Sequence, residues 1–202
     1  MLNRTMINNF FNRDGFLRQD KGAAAVEFAF IMPFMLLIYF GLVDVTGLIS
    51  LNRRIVSAAA TMADLVTQQK TNVLASTITD QFNAAYMIMK PMTSSNLRIE
   101  IYDYRYVGTT ITLIWKMSNN QGPTCGAVPV TTNMAPLMTA GNDVIIARTC
   151  TTYSPTIANF MGTNILGATS FTVRQAISAS PRGSPAKLDC YATTVAAGTL
   201  CS

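Results

Sequence analysis

The sequence predicts an α+β protein in which a long N-terminal helix packs on a sheet of roughly four antiparallel strands. Two observations lead to this fold class. An apolar run followed by apolar residues at three-to-four spacing occupies the first half of the chain, and alternating apolar and polar residues recur in the second half. The chain has 202 residues, a length that allows one compact domain with an appended helix.

The composition favours a small anchored protein over a cytosolic enzyme. Half of the residues are hydrophobic, 12% are charged and none is histidine. Histidine is the commonest general base and a common zinc ligand, so histidine-based triads and histidine-containing metal sites are excluded. The sequence has no glycine-rich nucleotide motif, and its acidic residues are scattered. We therefore expect a protein that is not an enzyme and that needs neither cofactor nor metal.

The first element is an apolar run from Ala23 to Val43, which is long enough to cross a bilayer as a helix. Glu27 is its only charged residue. A lone carboxylate is costly in hydrocarbon, so by default it is functional and has a partner. Pro33 is expected to kink or loosen this helix locally. The plain alternative is a proline that is merely tolerated in a membrane helix.

Basic residues precede the apolar run. Residues 1–22 contain four basic side chains and two acidic ones, namely Arg4, Arg13, Arg18 and Lys21 against Asp14 and Asp20. Such a flank places the N-terminus in the cytoplasm and the chain beyond Val43 outside it. A secretory signal peptide would also begin in this way, but the run is longer than usual and no A-x-A cleavage site follows. An uncleaved signal anchor leaves Glu27 unexplained.

The junction between leader and run reads GAAAVEF, from Gly22 to Phe28. It resembles the processing site of the TadE-like (TadE/TadF) pseudopilins of tight-adherence, or Flp-type, pilus systems. Proteins of that family are cut after the glycine, which leaves the glutamate fifth and an aromatic residue sixth in the mature chain. In this sequence Ala23 would come first, Glu27 fifth and Phe28 sixth. Pro33 matches a proline that recurs in the middle of the family's apolar helix.

The resemblance implies a pilin-like fold and a role as a minor pilin or pseudopilin in pilus biogenesis. A prepilin peptidase of the bacterial inner membrane would cut between Gly22 and Ala23, and Glu27 and Phe28 would serve peptidase recognition and assembly. The apolar helix would then contact other pilins or pseudopilins and the tight-adherence assembly platform. The alternatives are a signal-anchored periplasmic binding module that keeps its N-terminus and a secreted enzyme cut after Val43.

The pattern divides the chain into four parts. They are a leader peptide at 1–22, a transmembrane helix at 23–43, periplasmic amphipathic helices at 44–91 and a periplasmic β-rich part at 92–202. Within the third part, apolar residues continue at helical spacing from Val45 to Val66 and again from about Val73 to Lys90. Pro91 ends the second helix, because proline disfavours helix at the residue before it.

Four β-rich segments follow. They are Leu97–Val107, Thr110–Met117, Asp143–Tyr153 and Thr169–Ser178. The first two are expected to form a hairpin through Gly108–Thr109, and a loop of small and turn-forming residues runs from Ser118 to Asn142.

Charged and aromatic residues interleave along the first strand. Arg98 and Arg105 alternate with Tyr102, Tyr104 and Tyr106, as occurs on nucleic-acid-binding surfaces. A solvated strand face explains them equally well. With a membrane helix in front, we expect no nucleic-acid partner.

All four cysteines lie beyond the apolar helix, on the side expected to be oxidising. Three pairings are possible, and we favour Cys125 with Cys150 and Cys190 with Cys201. A zinc site built from four thiolates is the rival, although no C-x-x-C pair is present. A catalytic cysteine would need a histidine or a marked basic site nearby.

Overall fold

The computed structural model describes residues 21–70, 72–107, 110–127, 141–161, 169–183, 186–192 and 201. The chain forms two compact units, of which the first ends at Asp44 and the second begins at Val45. The predicted leader lies outside the described residues, except for its last two positions.

The longest element is helix α1, Lys21–Thr67, which confirms the predicted N-terminal helix. In the second unit, the side chains of one face are buried at intervals of three and four residues. They are Leu51, Ile55, Ala58, Ala59, Met62, Ala63 and Val66. This spacing places them along a single stripe of the helix, so α1 contributes one wall of the core.

A second helix, α2, spans Ala75–Met89 and buries Ile78, Phe82, Ala85 and Met89 in the same core. The helix expected from about Val73 to Lys90 is therefore present, but it starts two residues later. Residues Asn72–Leu74 form strand β1 instead. They pair in parallel with strand β6, Asp189–Tyr191. Because this partner lies far along the chain, the local pattern around Val73 gave no sign of it.

The main sheet has four antiparallel strands in the order β3-β2-β4-β5, which confirms the predicted sheet. The strands are β2, Leu97–Val107, β3, Thr110–Ser118, β4, Asp143–Tyr153, and β5, Phe171–Ala179. Two short elements, a 3₁₀ turn at Ser94–Asn96 and helix α3 at Thr156–Met161, complete the described part of the chain. The expected turn at Gly108–Thr109 and part of the loop after Ser118 lie outside it.

The two faces of the sheet have different surroundings. The inner face packs on the helices through Ile99, Ile101 and Ile145, and the hydroxyl of Thr149 donates a hydrogen bond to the Ile55 carbonyl at 3.0 Å. The outer face carries a smaller apolar cluster. Its members are Tyr104, Val144 and Ile146, with Tyr102, Tyr106 and Ile111 beside them.

Strand β3 is irregular. Asp103 of β2 pairs with Trp115, whereas the next residue, Tyr104, pairs with Leu113, so Ile114 is an extra residue in β3. Such a bulge bends the strand and interrupts its ladder of hydrogen bonds. The opposite edge strand, β5, pairs with β4 without interruption from Phe171 to Ala179.

Asn119 fixes the chain where it leaves β3. Its side-chain oxygen accepts a hydrogen bond from the Ile99 amide at 3.0 Å, and its amide group donates to the Leu97 carbonyl at 2.7 Å and to the Tyr86 hydroxyl at 2.9 Å. Gly122 then crosses the start of β2 with φ of +68°, and a Cβ there would lie 2.8 Å from a backbone nitrogen. A single amide side chain thus joins β2, β3 and α2.

We expect Asn119→Ala to lower the free energy of unfolding of the second unit by about 2–3 kcal/mol, since four side-chain hydrogen bonds are lost and the Ile99 and Gln121 amides lose their acceptor. Urea titration followed by Trp115 fluorescence measures this change. Asn83→Ala, on the exposed face of α2, is the matched control and should stay within about 0.5 kcal/mol. Equal stability of the two variants would contradict the assigned role of Asn119.

Candidate functional site

The first unit presents an uncovered apolar surface. Every residue from Gly22 to Tyr39 is exposed, including Phe28, Phe30 and Phe34 at 66%, 73% and 66%. Soluble monomers rarely expose a contiguous apolar surface of this extent, which marks a region that contacts a bilayer or apolar partners.

The length and composition of this segment fit a membrane anchor. Its most apolar stretch has a mean hydropathy of 2.2, and none of that stretch is buried. The core helix of a soluble protein would instead be mostly covered. From Ala23 to Val43 a helix rises about 31 Å, close to the roughly 30 Å hydrocarbon thickness of a bilayer.

Glu27 is the only charged residue between Gly22 and Val43, and its side chain is exposed with the apolar residues around it. It follows Ala23 by four residues in α1, so the two residues share a helix face, with Cβ atoms about 5–6 Å apart. The described ion pairs do not include Glu27. The carboxylate is therefore available to a positive charge near Ala23 or on another molecule.

The apolar segment from Gly22 to Val43 contains one proline, Pro33, and two glycines, Gly22 and Gly41. Pro33 lies inside α1, and because proline has no N–H the Ala29 carbonyl lacks its usual intrahelical donor. A Cβ added at Gly22 or at Gly41 would meet no atom within 4 Å. Neither glycine is required by packing in the described structure, so a requirement for glycine at position 22 would have to come from another molecule.

Two disulfide bonds join the four cysteines. Cys125 is bonded to Cys150 and Cys190 to Cys201, with Cα–Cα distances of 5.6 and 5.3 Å. These are the pairings favoured on sequence. The first connects the loop after β3 to β4, and the second joins β6 to residue 201. Because all four sulfur atoms are committed to these bonds, the zinc site considered on sequence does not form.

Of the two arginines interleaved with the tyrosines of β2, Arg98 shares the outer face with them, whereas Arg105 does not. The tyrosines lie on the outer face. Arg105 lies on the inner face, where its side chain forms ion pairs with Asp143 and Asp189. Its charge is neutralised by these partners, so Arg105 does not contribute a free cation beside the tyrosines.

A polar cavity of about 600 Å³ opens on the outer face, lined by residues that include Arg98, Glu100, Tyr102 and Lys116. The Tyr102 hydroxyl donates to Glu100 at 3.0 Å. Burial, together with this hydrogen bond and the charge of Glu100, raises the pKa of Tyr102 to about 12. Tyr102 therefore remains a neutral hydrogen-bonding group at physiological pH and is not a candidate general base.

The structure also brings together residues to which the sequence gave no role. Asp103 and Asp143 are both fully buried at one end of the sheet, and Arg105 is paired with Asp143. The sequence does contain a sign of the buried position of Asp103. This residue lies two residues after Ile101 and four after Ile99, and alternate residues of a strand share a face, so its carboxyl group lies on the apolar inner face. Among the described side chains, no group of three or more histidine, cysteine or acidic residues is arranged to hold a metal ion.

Comparison with known proteins finds a family match for the N-terminal segment. The family model described as TadE-like protein matches residues 22–64, which include Glu27, Phe28 and Pro33 and extend into the buried half of α1. This match confirms the predicted resemblance to the TadE-like proteins of the tight-adherence pilus system. No curated protein and no solved structure matches the chain significantly.

The two disulfides should differ in their contributions to stability. A disulfide stabilises the folded state by limiting the conformations of the unfolded chain, and the effect grows with the length of the closed loop. The separation of 25 residues for Cys125–Cys150 corresponds to about 3.5 kcal/mol of stabilisation. The separation of 11 residues for Cys190–Cys201 corresponds to about 2.8 kcal/mol. We therefore expect the double variant Cys125→Ser/Cys150→Ser to lose more stability on urea titration than Cys190→Ser/Cys201→Ser. The reverse order would show that packing of the β6 region, rather than loop closure, dominates.

Proposed function

We propose that this TadE-like chain is a minor pilin or pseudopilin of a tight-adherence pilus system, processed by a prepilin peptidase between Gly22 and Ala23. One observation carries the proposal. A single carboxylate, Glu27, stands in an exposed apolar helix at the fifth position after Gly22, within the segment that the TadE-like family model matches.

Before processing, the apolar helix is an anchor in the inner membrane. The basic residues before Ala23 cannot enter hydrocarbon and are retained on the cytoplasmic side, so the chain beyond Val43 is periplasmic. Both disulfides lie in that outer part, which agrees with an oxidising compartment. The charge pattern and the disulfides thus support the same orientation independently.

Cleavage then changes the charge at the start of the helix. Removal of residues 1–22 takes away four basic and two acidic side chains and leaves a free ammonium group on Ala23. The open surroundings of Gly22 support a role in which a peptidase, and not the chain itself, requires glycine there. Small residues at positions 22–25 allow the backbone to enter a narrow cleft in extended form.

Glu27 balances the new ammonium group. The two charges are each expensive in apolar surroundings, and pairing them removes most of that cost. The pair can form within one helix, because Ala23 and Glu27 are four residues apart, or between neighbouring subunits. In the second case it sets the axial register of one apolar helix against the next. Pro33 loosens the helix for extraction from the bilayer.

The size of the second unit supports a minor subunit. It comprises the four-stranded sheet, the buried half of α1 and α2 around one core. A protein that mainly builds a fibre through its apolar helix needs little beyond that helix. We therefore place this chain at a priming or tip position, or in the assembly apparatus of the inner membrane.

A signal-anchored periplasmic binding module is the second candidate function. The outer-face cavity of about 600 Å³ with its polar lining favours it. The two candidates differ at the N-terminus of the protein purified from its native membrane. A mature chain that begins at Ala23 supports the pseudopilin, one that begins at Met1 supports the anchored module, and a start near Ser50 contradicts both.

We expect Gly22→Val to block processing, because a branched side chain crowds the extended backbone in the peptidase cleft. The uncleaved fraction is measured by intact mass of the protein from membranes that contain the peptidase. Gly41→Val is the matched control, since its added side chain also meets open space on α1 but lies far from the junction. Normal cleavage of Gly22→Val would refute the assigned cleavage site.

We expect Glu27→Gln to be cleaved normally but to assemble at least about tenfold less well, since leaving the Ala23 ammonium unpaired costs about 3 kcal/mol or more. Assembly is measured as pili per cell and as protein recovered with sheared pili. Asp80→Asn, an exposed carboxylate on α2, controls for the change from acid to amide. Full piliation by Glu27→Gln would remove the charge-pairing mechanism.

A further inference from the structure

Asp103 is a buried acid without hydrogen-bonding partners. Its residue is 0% exposed, and in the described part of the chain neither carboxyl oxygen has a hydrogen-bond partner. Its cross-strand neighbours are Trp115 of β3 and Ile145 of β4. An ionised carboxylate in such surroundings would be strongly disfavoured, whereas a protonated one is tolerated.

The neighbouring acid, Asp143, is fully engaged. One of its oxygens accepts from the Nε of Arg105, and the other accepts from Arg105 Nη2 at 2.8 Å and from the backbone amide of Leu188 at 2.7 Å. Its own amide donates to the Ala186 carbonyl at 2.7 Å. Asp143 therefore holds the chain around Leu188 against the end of the sheet, and it does so as a carboxylate.

Residues 186–191 form a strap across this end of the sheet. The indole N–H of Trp115 donates to the Leu188 carbonyl at 2.8 Å, and Arg105 Nη2 donates to Asp189 Oδ1 at 3.3 Å. The last three residues of the strap are β6, which contains Cys190 and pairs with β1. Every described polar contact of Leu188 therefore goes to residues beside Asp103.

The charges around Asp103 do not balance once it ionises. The charged groups that act on it are Asp143 of β4, Arg105 of its own strand and Asp189 of β6, and the uncharged indole of Trp115 on β3 also acts on it. One guanidinium would then face three carboxylates. Burial, followed by the charge of Asp143, raises the pKa of Asp103 from 3.8 to about 8, against the opposing effects of Arg105 and the Trp115 indole.

We propose that Asp103 is a proton-operated latch, in which the proton on its carboxyl group keeps the strap of residues 186–191 bound to the sheet. When the proton leaves, repulsion between Asp103 and Asp143 weakens the contacts that Asp143 and Trp115 make with Leu188. The strap, with β6 in it, then separates from the four-stranded sheet, while the Cys190–Cys201 bond still links it to residue 201. This device does not depend on the proposed role in pilus biogenesis.

The direction of the pH dependence follows from the proton balance. Between pH 3.8 and about 8 the folded state holds a proton on Asp103 that the unfolded chain has released. Stability therefore decreases as pH rises through this window, and the penalty is complete above about pH 8. The strap, which is held by a few contacts at the end of the sheet, is the part expected to open first.

The only tryptophan of the chain reports directly on the latch, because its indole N–H binds the strap. We expect Trp115 emission of the full-length protein in detergent to change with a midpoint near pH 8, and the change to be absent in Asp103→Asn, which keeps the shape of the side chain but cannot ionise. Asp64→Asn removes a half-exposed carboxylate paired with Arg182 and should leave the midpoint in place. An unchanged transition in Asp103→Asn would overturn the proposal.

Hydrogen exchange on the wild-type protein gives a second test that needs no variant. Above the midpoint, the Leu188 amide should exchange faster than intrinsic base catalysis predicts, whereas amides buried in α2 should not. This outcome distinguishes opening of the strap from a purely local change around the indole. A strap that stays equally protected on both sides of pH 8 would contradict the latch even if the fluorescence changes.

Discussion

The second unit depends on the burial of one face of α1 against the inner face of the sheet. Ile55, Met62 and Val66 are each 0% exposed, and each contributes about 1.5–3 kcal/mol. Because side chains alternate along a strand, this contact also fixes which residues of β2 point inward, and it carries Asp103 inward with Ile101. The summed apolar burial exceeds the cost of roughly 2–7 kcal/mol for one unpaired polar group.

Elements with a local periodic signal were predictable from the sequence. The alternation of Leu97, Ile99 and Ile101 defines β2 to its first residue, and Pro91 placed the end of α2 to within one residue. Strand β1 was not predictable from the sequence. Its three residues are too few to show an alternation of apolar and polar side chains, and its partner β6 lies more than a hundred positions away. Its identity comes from tertiary pairing, which overrides a helical pattern that begins at Val73.

The residues of interest likewise fall into one that the sequence marks out and a group that only the fold brings together. Glu27 was recognisable because a charge contrasts with the apolar run around it, and that contrast needs no three-dimensional information. The group formed by Asp103, Arg105, Asp143 and Asp189 was hidden, since its members come from β2, β4 and β6 and meet only when the sheet and the strap are in place. In its own stretch of sequence, each of these residues looks like an ordinary polar residue of a strand.

The bulge in β3 makes the two edges of the sheet unequal. At the β3 edge an extra residue, Ile114, breaks the ladder, and Lys116 adds a charge, two devices that discourage another strand from joining. Strand β5 has neither a bulge nor a lysine, and in the described part of the chain no strand pairs with its outer edge. Self-association of this protein at high concentration would therefore pair β5 with β5 of a second copy and stop at a dimer, and a lysine or proline introduced on that edge is the natural means of preventing it.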